Sequence, residues 1–193
     1  MIYTLVVDTE TTGLPVLTSK RNYYSYKNHE SYDGSRMLEL AYVIYDDEKN
    51  IVVERSNLVK TDVRITNDDI HGITNKKIDK EGIDINDIFD LFVDDTANKE
   101  IVIVAHNIRF DTNIILSEAH RNKRNDVIDK INGSEQICTC VLGMTTLKLQ
   151  CHIKLVVLYR KLFQISVVQE HRALSDVKLC ADCYFELLKL GNN

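Results

Sequence analysis

The stretch IYTLVVDTETTG, residues 2–13, decides the fold. Its first six residues, Ile2 to Val7, form a short and largely β-branched run, which is typical of a central strand. Asp8 and Glu10 follow directly and are two residues apart, so both side chains can point to the same side of a sheet. The sequence therefore predicts a buried strand that delivers two carboxylates to one place.

Two later motifs place further acids at the ends of predicted elements. Asp111 follows the apolar run Ile101–Ala105 and opens a helix, and Asp176 begins the last helix, five residues after His171. Crowded carboxylates repel one another, and their burial is costly unless a positive charge compensates them. Divalent cations supply that charge, and two of them make a phosphoryl-transfer centre. The acids predict a metal-dependent nuclease in which Asp8 could bridge two ions and Glu10 hold one.

Each motif taken alone also has a purely structural explanation. A pair of strand-end acids can simply face water, and Asp111 can be favoured in the first turn of a helix by the helix dipole. His171 can be a surface histidine next to an acid at the start of a helix. Because all three motifs occur at predicted element ends, a shared centre is favoured. In that centre, His171 suits the role of general base near neutral pH.

The rest of the chain predicts an α/β fold with a sheet of about five strands of mixed direction. Predicted strands lie at Ile2–Val7, Met37–Tyr45, Ile51–Val59, Ile101–Ala105 and Gln136–Thr139. Predicted helices lie at Thr66–Gly72, Asp84–Val93, Phe110–Asn122, Lys154–Phe163 and Ala173–Leu190. We expect one domain over residues 1–193, because no repeat, linker or low-complexity tract divides the chain.

Residues 16–36 are polar and rich in tyrosine, and we interpret them as a surface insertion in this domain. Their mixture of aromatic and basic side chains could stack on single-stranded nucleic acid. A solvated loop without a ligand is the alternative.

The composition limits the class of protein. Of the 193 residues 44% are hydrophobic and 27% charged, which is typical of a globular protein. The net charge of −5 excludes the basic footprint of a tight, non-specific nucleic-acid binder. No apolar run reaches the roughly 18 residues of a membrane span, and a strand starting at Ile2 leaves no space for a leader. We therefore expect no membrane partner.

Five cysteines, an odd number, favour reduced thiols and hence an intracellular location, cytoplasmic or nuclear. Cys138, Cys140, Cys180 and Cys183 have a spacing that could also form a zinc site. Because Cys180 falls on the apolar stripe of the last predicted helix, buried thiols are the favoured interpretation.

Together the motifs resemble those of the DEDDh family of 3′–5′ exonucleases over nearly the whole chain. The resemblance rests on Asp8-x-Glu10-Thr-Thr-Gly, Ile70-His-Gly-Ile-Thr, Asn107-x-x-Phe-Asp and His171-x-Ala-x-x-Asp. It implies an RNase H-like fold, two Mg²⁺ or Mn²⁺ ions, and water attack on the terminal phosphodiester with release of nucleoside 5′-monophosphates. It also implies a general base, His171, and four metal ligands, which are Asp8, Glu10, Asp111 and Asp176.

The resemblance also implies contacts to the 3′-terminal nucleotide. The residues that it places there are Thr11, Thr12, Leu14, His71, Asn107 and Phe110. The expected partner is a single-stranded or frayed 3′ end. DNA and RNA both stay open, because recognition of the 2′-hydroxyl depends on the shape of the pocket.

Further partners that the sequence leaves open are a second copy of the chain, as a homodimer, and a polymerase or other replication protein, as in proofreading. The main alternative function is a catalytically silent nucleic-acid-binding or polymerase-docking module on the same fold. The complete set of four acids and His171 argues against it. A zinc-stabilised interaction domain is a third possibility.

Overall fold

The computed structural model describes residues 1–167 and 172–191. A mixed five-stranded sheet runs through the molecule in the order β3-β2-β1-β4-β5. Its strands are β1 Ile2–Thr11, β2 Met37–Tyr45, β3 Ile51–Leu58, β4 Glu100–Ala105 and β5 Glu135–Cys138. β1 is antiparallel to β2 and parallel to β4. The predicted sheet of five strands with mixed direction is confirmed.

β1 is longer than predicted, and this changes where the first two acids lie. Asp8 and Glu10 are within the strand, where they pair with Ala41 and Glu39 of β2. On the other side, the pairing of β1 with β4 runs only from Ile2 to Val6. The last residues of β1 therefore have a strand on one side only.

Helices cover both faces of the sheet in the described part of the chain. They are α1 Asp68–His71, α2 Asn75–Glu81, α3 Ile85–Thr96, α4 Ile108–Arg121, α5 Asn125–Gly133, α6 Thr139–Thr146, α7 Leu155–Phe163 and α8 Ala173–Gly191. The five predicted helices are confirmed. α2, α5 and α6 were not predicted. α2 buries a single apolar residue, Ile78, and so has no apolar stripe.

The core has two main layers, one on each face of the sheet. Leu5 and Val7 of β1 pack in the layer that contains α3 and α4, whereas Val6 packs in the layer that contains α8. This alternation is that of a strand covered on both faces. The predicted apolar stripe of α8 is confirmed, since its residues are all buried: Ala173, Val177, Cys180, Tyr184 and Leu187.

The segment 16–36 is mostly exposed or half-buried, but Tyr32 attaches it to the core. Tyr32, in a 3₁₀ turn at His29–Tyr32, is 1% exposed and packs with the α3 and α4 layer. A further attachment is the short contact of 2.6 Å between the ring nitrogens of His29 and His120 of α4. The segment thus has a fixed position against α4. The single domain over residues 1–193 stays a prediction.

The cysteines are mainly internal. Cys140, Cys180 and Cys183 are buried and Cys138 is half-buried. Within residues 1–167 and 172–191 they form no group of three metal-ligating side chains. Across the same ranges, no helix has the length and apolar character needed to cross a membrane.

Candidate active site

Three carboxylates meet beside the exposed end of β1. Asp8, Glu10 and Asp176 each offer an oxygen, and these atoms all lie within 4.8 Å of one another. Asp8 and Glu10 point to the α8 face because they alternate with Thr9 along the strand. Asp176 comes from the first turn of α8, which packs on that face. The structure therefore brings together three of the four acids that the sequence singled out.

Asp111 approaches the same place from the opposite face of the sheet. It lies in the first turn of α4 and is 2% exposed. Its Oδ1 atom accepts hydrogen bonds from the backbone N–H of Thr9, at 3.0 Å, and from the Thr9 hydroxyl, at 2.9 Å. Thr9 points away from Asp8 and Glu10, so it fixes Asp111 at the edge of the sheet beside them.

The helix that carries Asp111 starts earlier than predicted, at Ile108 instead of Phe110. Asn107 precedes it with a left-handed backbone, φ 68°, a conformation that asparagine adopts more readily than most residues. The chain therefore turns sharply between the end of β4 and α4, which places Asp111 in the first helical turn near β1.

The acids affect one another strongly. Burial raises the pKa of Asp8 well above its usual value, and the charges of Asp111, Asp176 and Glu10 raise it further. Burial, Asp176 and Glu39 raise the pKa of Glu10 to about 8, with Arg172 acting in the opposite direction. The pKa of Asp111 is raised to about 7, mainly by burial, although its hydrogen bonds to Thr9 oppose the shift. The carboxylates thus share a site that disfavours their own negative charge.

The donor set fits hard divalent cations. All the converging atoms are carboxylate oxygens, which suit Mg²⁺ and Mn²⁺ and do not suit soft metals that prefer thiolates. No lysine or arginine of residues 1–167 and 172–191 forms an ion pair with Asp8, Glu10 or Asp111. A bound cation would therefore supply the charge compensation that these side chains lack.

A buried ion pair supports this site from the β2 side. Glu39 is 0% exposed and accepts hydrogen bonds from Arg172 Nε at 3.1 Å and Nη2 at 2.9 Å. It also accepts one from the Ser56 hydroxyl at 2.6 Å. Since Glu39 pairs with Glu10 in the sheet and Arg172 directly precedes α8, the bridge ties β2 to the start of the helix that carries Asp176.

The last residue of β1 and the turn after it contain three of the residues expected to contact the terminal nucleotide. The Thr11 hydroxyl donates to the Gly13 carbonyl at 2.7 Å. The backbone N–H of Thr12 donates to the Arg36 carbonyl, and the Thr12 hydroxyl accepts a hydrogen bond from the backbone N–H of Arg36. Leu14 is 80% exposed. A Cβ atom on Gly13 would lie 2.8 Å from the Gly34 carbonyl oxygen, so only glycine lets the turn pack this closely.

The other three expected contact residues differ in exposure. His71 is 2% exposed, and its Nδ1 accepts the backbone N–H of Ile73 at 3.1 Å. Asn107 is exposed, whereas Phe110 is half-buried and packs against the core. The roles of these residues stay predictions. His171, the expected general base, lies outside the described residues.

Sequence reasoning missed the side chains that hold the acids in place. Thr9 lies between the two acids of the first motif, where strand alternation would have placed it on the face of Asp111. Arg172 lies within the last motif, but nothing in the sequence pairs it with Glu39, 133 residues away. These partners are distant in sequence, and the register of the sheet brings them together.

Comparisons with known proteins agree with this geometry. A model of the exonuclease family, of the RNase T type, matches residues 5–184. None of the curated proteins compared with the chain matches it.

Among solved structures, Exonuclease I from E. coli in complex with a dA16 oligonucleotide has 15% identity and a TM-score of 0.69. The matched region covers 98% of this chain and 41% of the Exonuclease I chain. A moderately thermophilic Exonuclease I from Methylocaldum szegediense has 18% identity and a TM-score of 0.70, over 98% of this chain and 40% of its own.

A zinc ion bound form of the E. coli ExoI–ssDNA complex is also similar, with 16% identity and a TM-score of 0.66. It covers 98% of this chain and 41% of the other. This chain thus spans about two fifths of the Exonuclease I chains that it resembles, and at these identities the likeness shows the fold. Because the family model matches almost from end to end, the chain belongs to the exonuclease family and has its RNase H-like fold.

Proposed function

We propose that this chain is a metal-dependent 3′–5′ exonuclease that removes nucleoside 5′-monophosphates from single-stranded or frayed 3′ ends. The observation that carries the proposal is the grouping of Asp8, Glu10 and Asp176 within 4.8 Å, with Asp111 beside them. Membership of the exonuclease family supports hydrolysis of nucleic acid. The polarity, the substrate and the product are parts of the proposal.

The four acids would hold two Mg²⁺ or Mn²⁺ ions. Such ions, when bound, stabilise the attacking and the leaving oxygens of a phosphodiester together. His171 takes the proton of the attacking water. The bond from phosphorus to the 3′ oxygen of the preceding nucleotide breaks, and that oxygen takes a proton from solvent. The products are a nucleoside 5′-monophosphate and a strand with a new 3′-hydroxyl.

Recognition of the strand end would come from the turn after β1. Thr11 and Thr12 place backbone and hydroxyl groups next to the acids, and the exposed side chain of Leu14 can pack on the last base. His71, Asn107 and Phe110 would complete the contacts to this nucleotide. A homodimer and a polymerase partner gain no support from the comparisons, so neither they nor proofreading enter the proposal.

The test uses matched DNA and RNA strands of the same sequence, labelled at the 5′ end, with and without Mg²⁺. The proposal predicts a ladder that shortens from the 3′ end, needs the metal, and is blocked by a 3′-phosphate. A circular single strand should stay intact. Efficient cutting of the circle would show an endonuclease instead. Absence of metal-dependent turnover on every strand would favour the silent binding module.

A further inference from the structure

Arg109 is an exposed cation two residues before Asp111, in the first turn of α4. Its guanidinium carbon lies 5.6 Å from the centre of the Tyr23 ring, a cation–π contact. Five of the other arginines in the described part of the chain are held by carboxylates, whereas Arg109 has no such ion pair there. The paired arginines are Arg36, Arg55, Arg121, Arg124 and Arg172.

Tyr23 is held against α4 by backbone contacts of the segment 16–36. It forms an antiparallel bridge with Leu17. The next carbonyl, of Tyr24, accepts a hydrogen bond of 2.6 Å from the buried hydroxyl of Tyr32. That hydroxyl is also 3.3 Å from the side-chain oxygen of Asn113 on α4. The Tyr23 ring, although half-exposed, therefore has a defined position over the start of α4.

This pair lies beside the acid centre. Burial raises the pKa of Tyr23, and the nearby charge of Asp111 raises it further. The side chain of Asn107 and the charge of Arg109 lower it. Asp111, Asn107 and Arg109 are thus all neighbours of Tyr23. The guanidinium adds positive charge at the border of a strongly negative site.

Guanidinium groups bind phosphate with two parallel hydrogen bonds, and stacking on an aromatic ring fixes their plane. A nucleic-acid strand that enters this site must bring further phosphates past this group of carboxylates, on a protein of net charge −5. A cation next to the centre, without a carboxylate partner and already oriented, is suited to hold one of those phosphates.

We propose that Arg109, oriented by Tyr23, binds the phosphodiester next to the scissile one, between the second and third nucleotides from the 3′ end. Arg109 is then a binding residue for the strand, and Tyr23 is a positioning residue. The inference rests on the proposed exonuclease function and deepens it. It predicts that a substrate must carry two phosphodiesters to be used well.

The test compares release of the first nucleotide from a dinucleotide, d(TpT), and a trinucleotide, d(TpTpT), or from their RNA equivalents if RNA is preferred. Only the trinucleotide has the second phosphate. Arg109→Gln should lower the ratio of kcat/KM for the trinucleotide to that for the dinucleotide by roughly 10–100-fold, the effect expected for a charge-assisted hydrogen bond. Arg160→Gln, the same charge change on an exposed residue of α7, should leave the ratio unchanged.

Two further variants separate positioning from folding. Tyr23→Leu should lower the same ratio and Tyr23→Phe should retain it, because phenylalanine keeps the ring on which the guanidinium lies. In Arg109→Gln, the dependence of log kcat/KM on log salt for a longer single strand should become shallower by about 0.7, the contribution of one phosphate contact.

The outcomes distinguish the two proposals. An equal loss of kcat/KM on both substrates in Arg109→Gln, or no loss on either, overturns the role of Arg109 and leaves the exonuclease proposal in place. Failure of the wild-type protein to release a nucleotide from any strand overturns the exonuclease proposal, and the role of Arg109 with it.

Discussion

Buried and half-buried acids occur in two settings in this protein. Glu39 and Glu118 are 0% and 2% exposed, and each accepts two hydrogen bonds from one arginine, Arg172 and Arg36 respectively. Asp8 and Asp111 are close to other acids and have no such arginine in the described part of the chain.

The electrostatic result is opposite in the two settings. Burial alone would raise the pKa of Glu39, but the hydrogen bonds from Arg172 and Ser56 bring it below its usual value. The pKa values of Asp8, Glu10 and Asp111 are all raised. The first setting is neutralised by the protein itself and is structural. The second has no compensating arginine or lysine in the described part of the chain, which is the property of a site that binds cations.

Removal of one acid from the centre should have the largest effect. Asp8→Asn should lower kcat by more than about 1,000-fold, since several kcal/mol of transition-state stabilisation are at stake and each 1.36 kcal/mol is tenfold. In metal-free buffer the variant should be at least as stable as the wild type, because it relieves repulsion among the acids. Steady-state kinetics and thermal unfolding measure the two effects.

The matched control for Asp8→Asn is Glu100→Gln, which removes one charge from an exposed residue at the start of β4. It should retain wild-type activity. Substantial turnover in Asp8→Asn would show that the acid centre is not needed for catalysis.

His171→Ala tests the base that sequence alone assigns. A positioned base contributes about 10²–10⁴-fold, so kcat should fall by that factor. Binding of Mn²⁺ should change little, because no carboxylate is removed. The wild-type rate should rise through an ionisation near that of free histidine, about 6.5, and the variant should lose this step. Near-normal kcat with an unchanged pH profile would exclude His171 as the base.

The structural acids should respond to loss of their partner through stability. Arg36→Met leaves Glu118 buried without its arginine, which we expect to lower the free energy of unfolding by about 2–4 kcal/mol. This value is below that of a fully buried pair, because the Arg36 side chain is 31% exposed. Denaturant unfolding measures it. Arg36→Met combined with Glu118→Leu should recover most of the loss, and equal losses in both variants would contradict this explanation.

The smallest expected effect is the pH dependence of stability without metal. Glu10 and Asp111 have ordinary pKa values in the unfolded chain, and in the folded protein these rise to about 8 and about 7. Their contribution to stability is therefore fully present below about pH 4 and is lost as the pH rises toward 8. In chelator, Tm should fall between pH 5 and pH 8.

We expect a decrease of at least about 3–6 °C, which corresponds to about 1.4 kcal/mol, the free energy of one pKa unit, in a chain of this size. Added Mg²⁺ should remove most of the decrease, and Asp8→Asn should show a smaller one. A Tm that rises over the same range in chelator would contradict the raised pKa values.

The features that could be predicted from sequence are those that depend on local patterns. Asp8 and Glu10 belong to a continuous strand, and alternation alone places them on one face. Asp111 and Asp176 each follow an easily recognised boundary between elements. The five strands and the long helices were predicted for the same reason, since their apolar periodicity is local. Helix α6 has little apolar periodicity, and α5 follows the end of α4 after only three residues.

The partners of the acids could not be predicted. Thr9 and Asp111 are 102 residues apart, and Arg172 and Glu39 are 133 apart. These contacts depend on the order and register of the strands, which leave no local signal. Tyr23 lies in a segment without periodicity, and it meets Arg109 only because Tyr32 is anchored in the core.

The most direct test of the central claim is a titration of the metal-free protein with Mn²⁺ near pH 7.5, followed by electron paramagnetic resonance. If the acid centre exists to bind divalent cations, the wild-type protein and Glu100→Gln should bind about two ions, and Asp8→Asn should lose at least one of them. Equal binding by Asp8→Asn and the wild type, or no binding by the wild type, would contradict it.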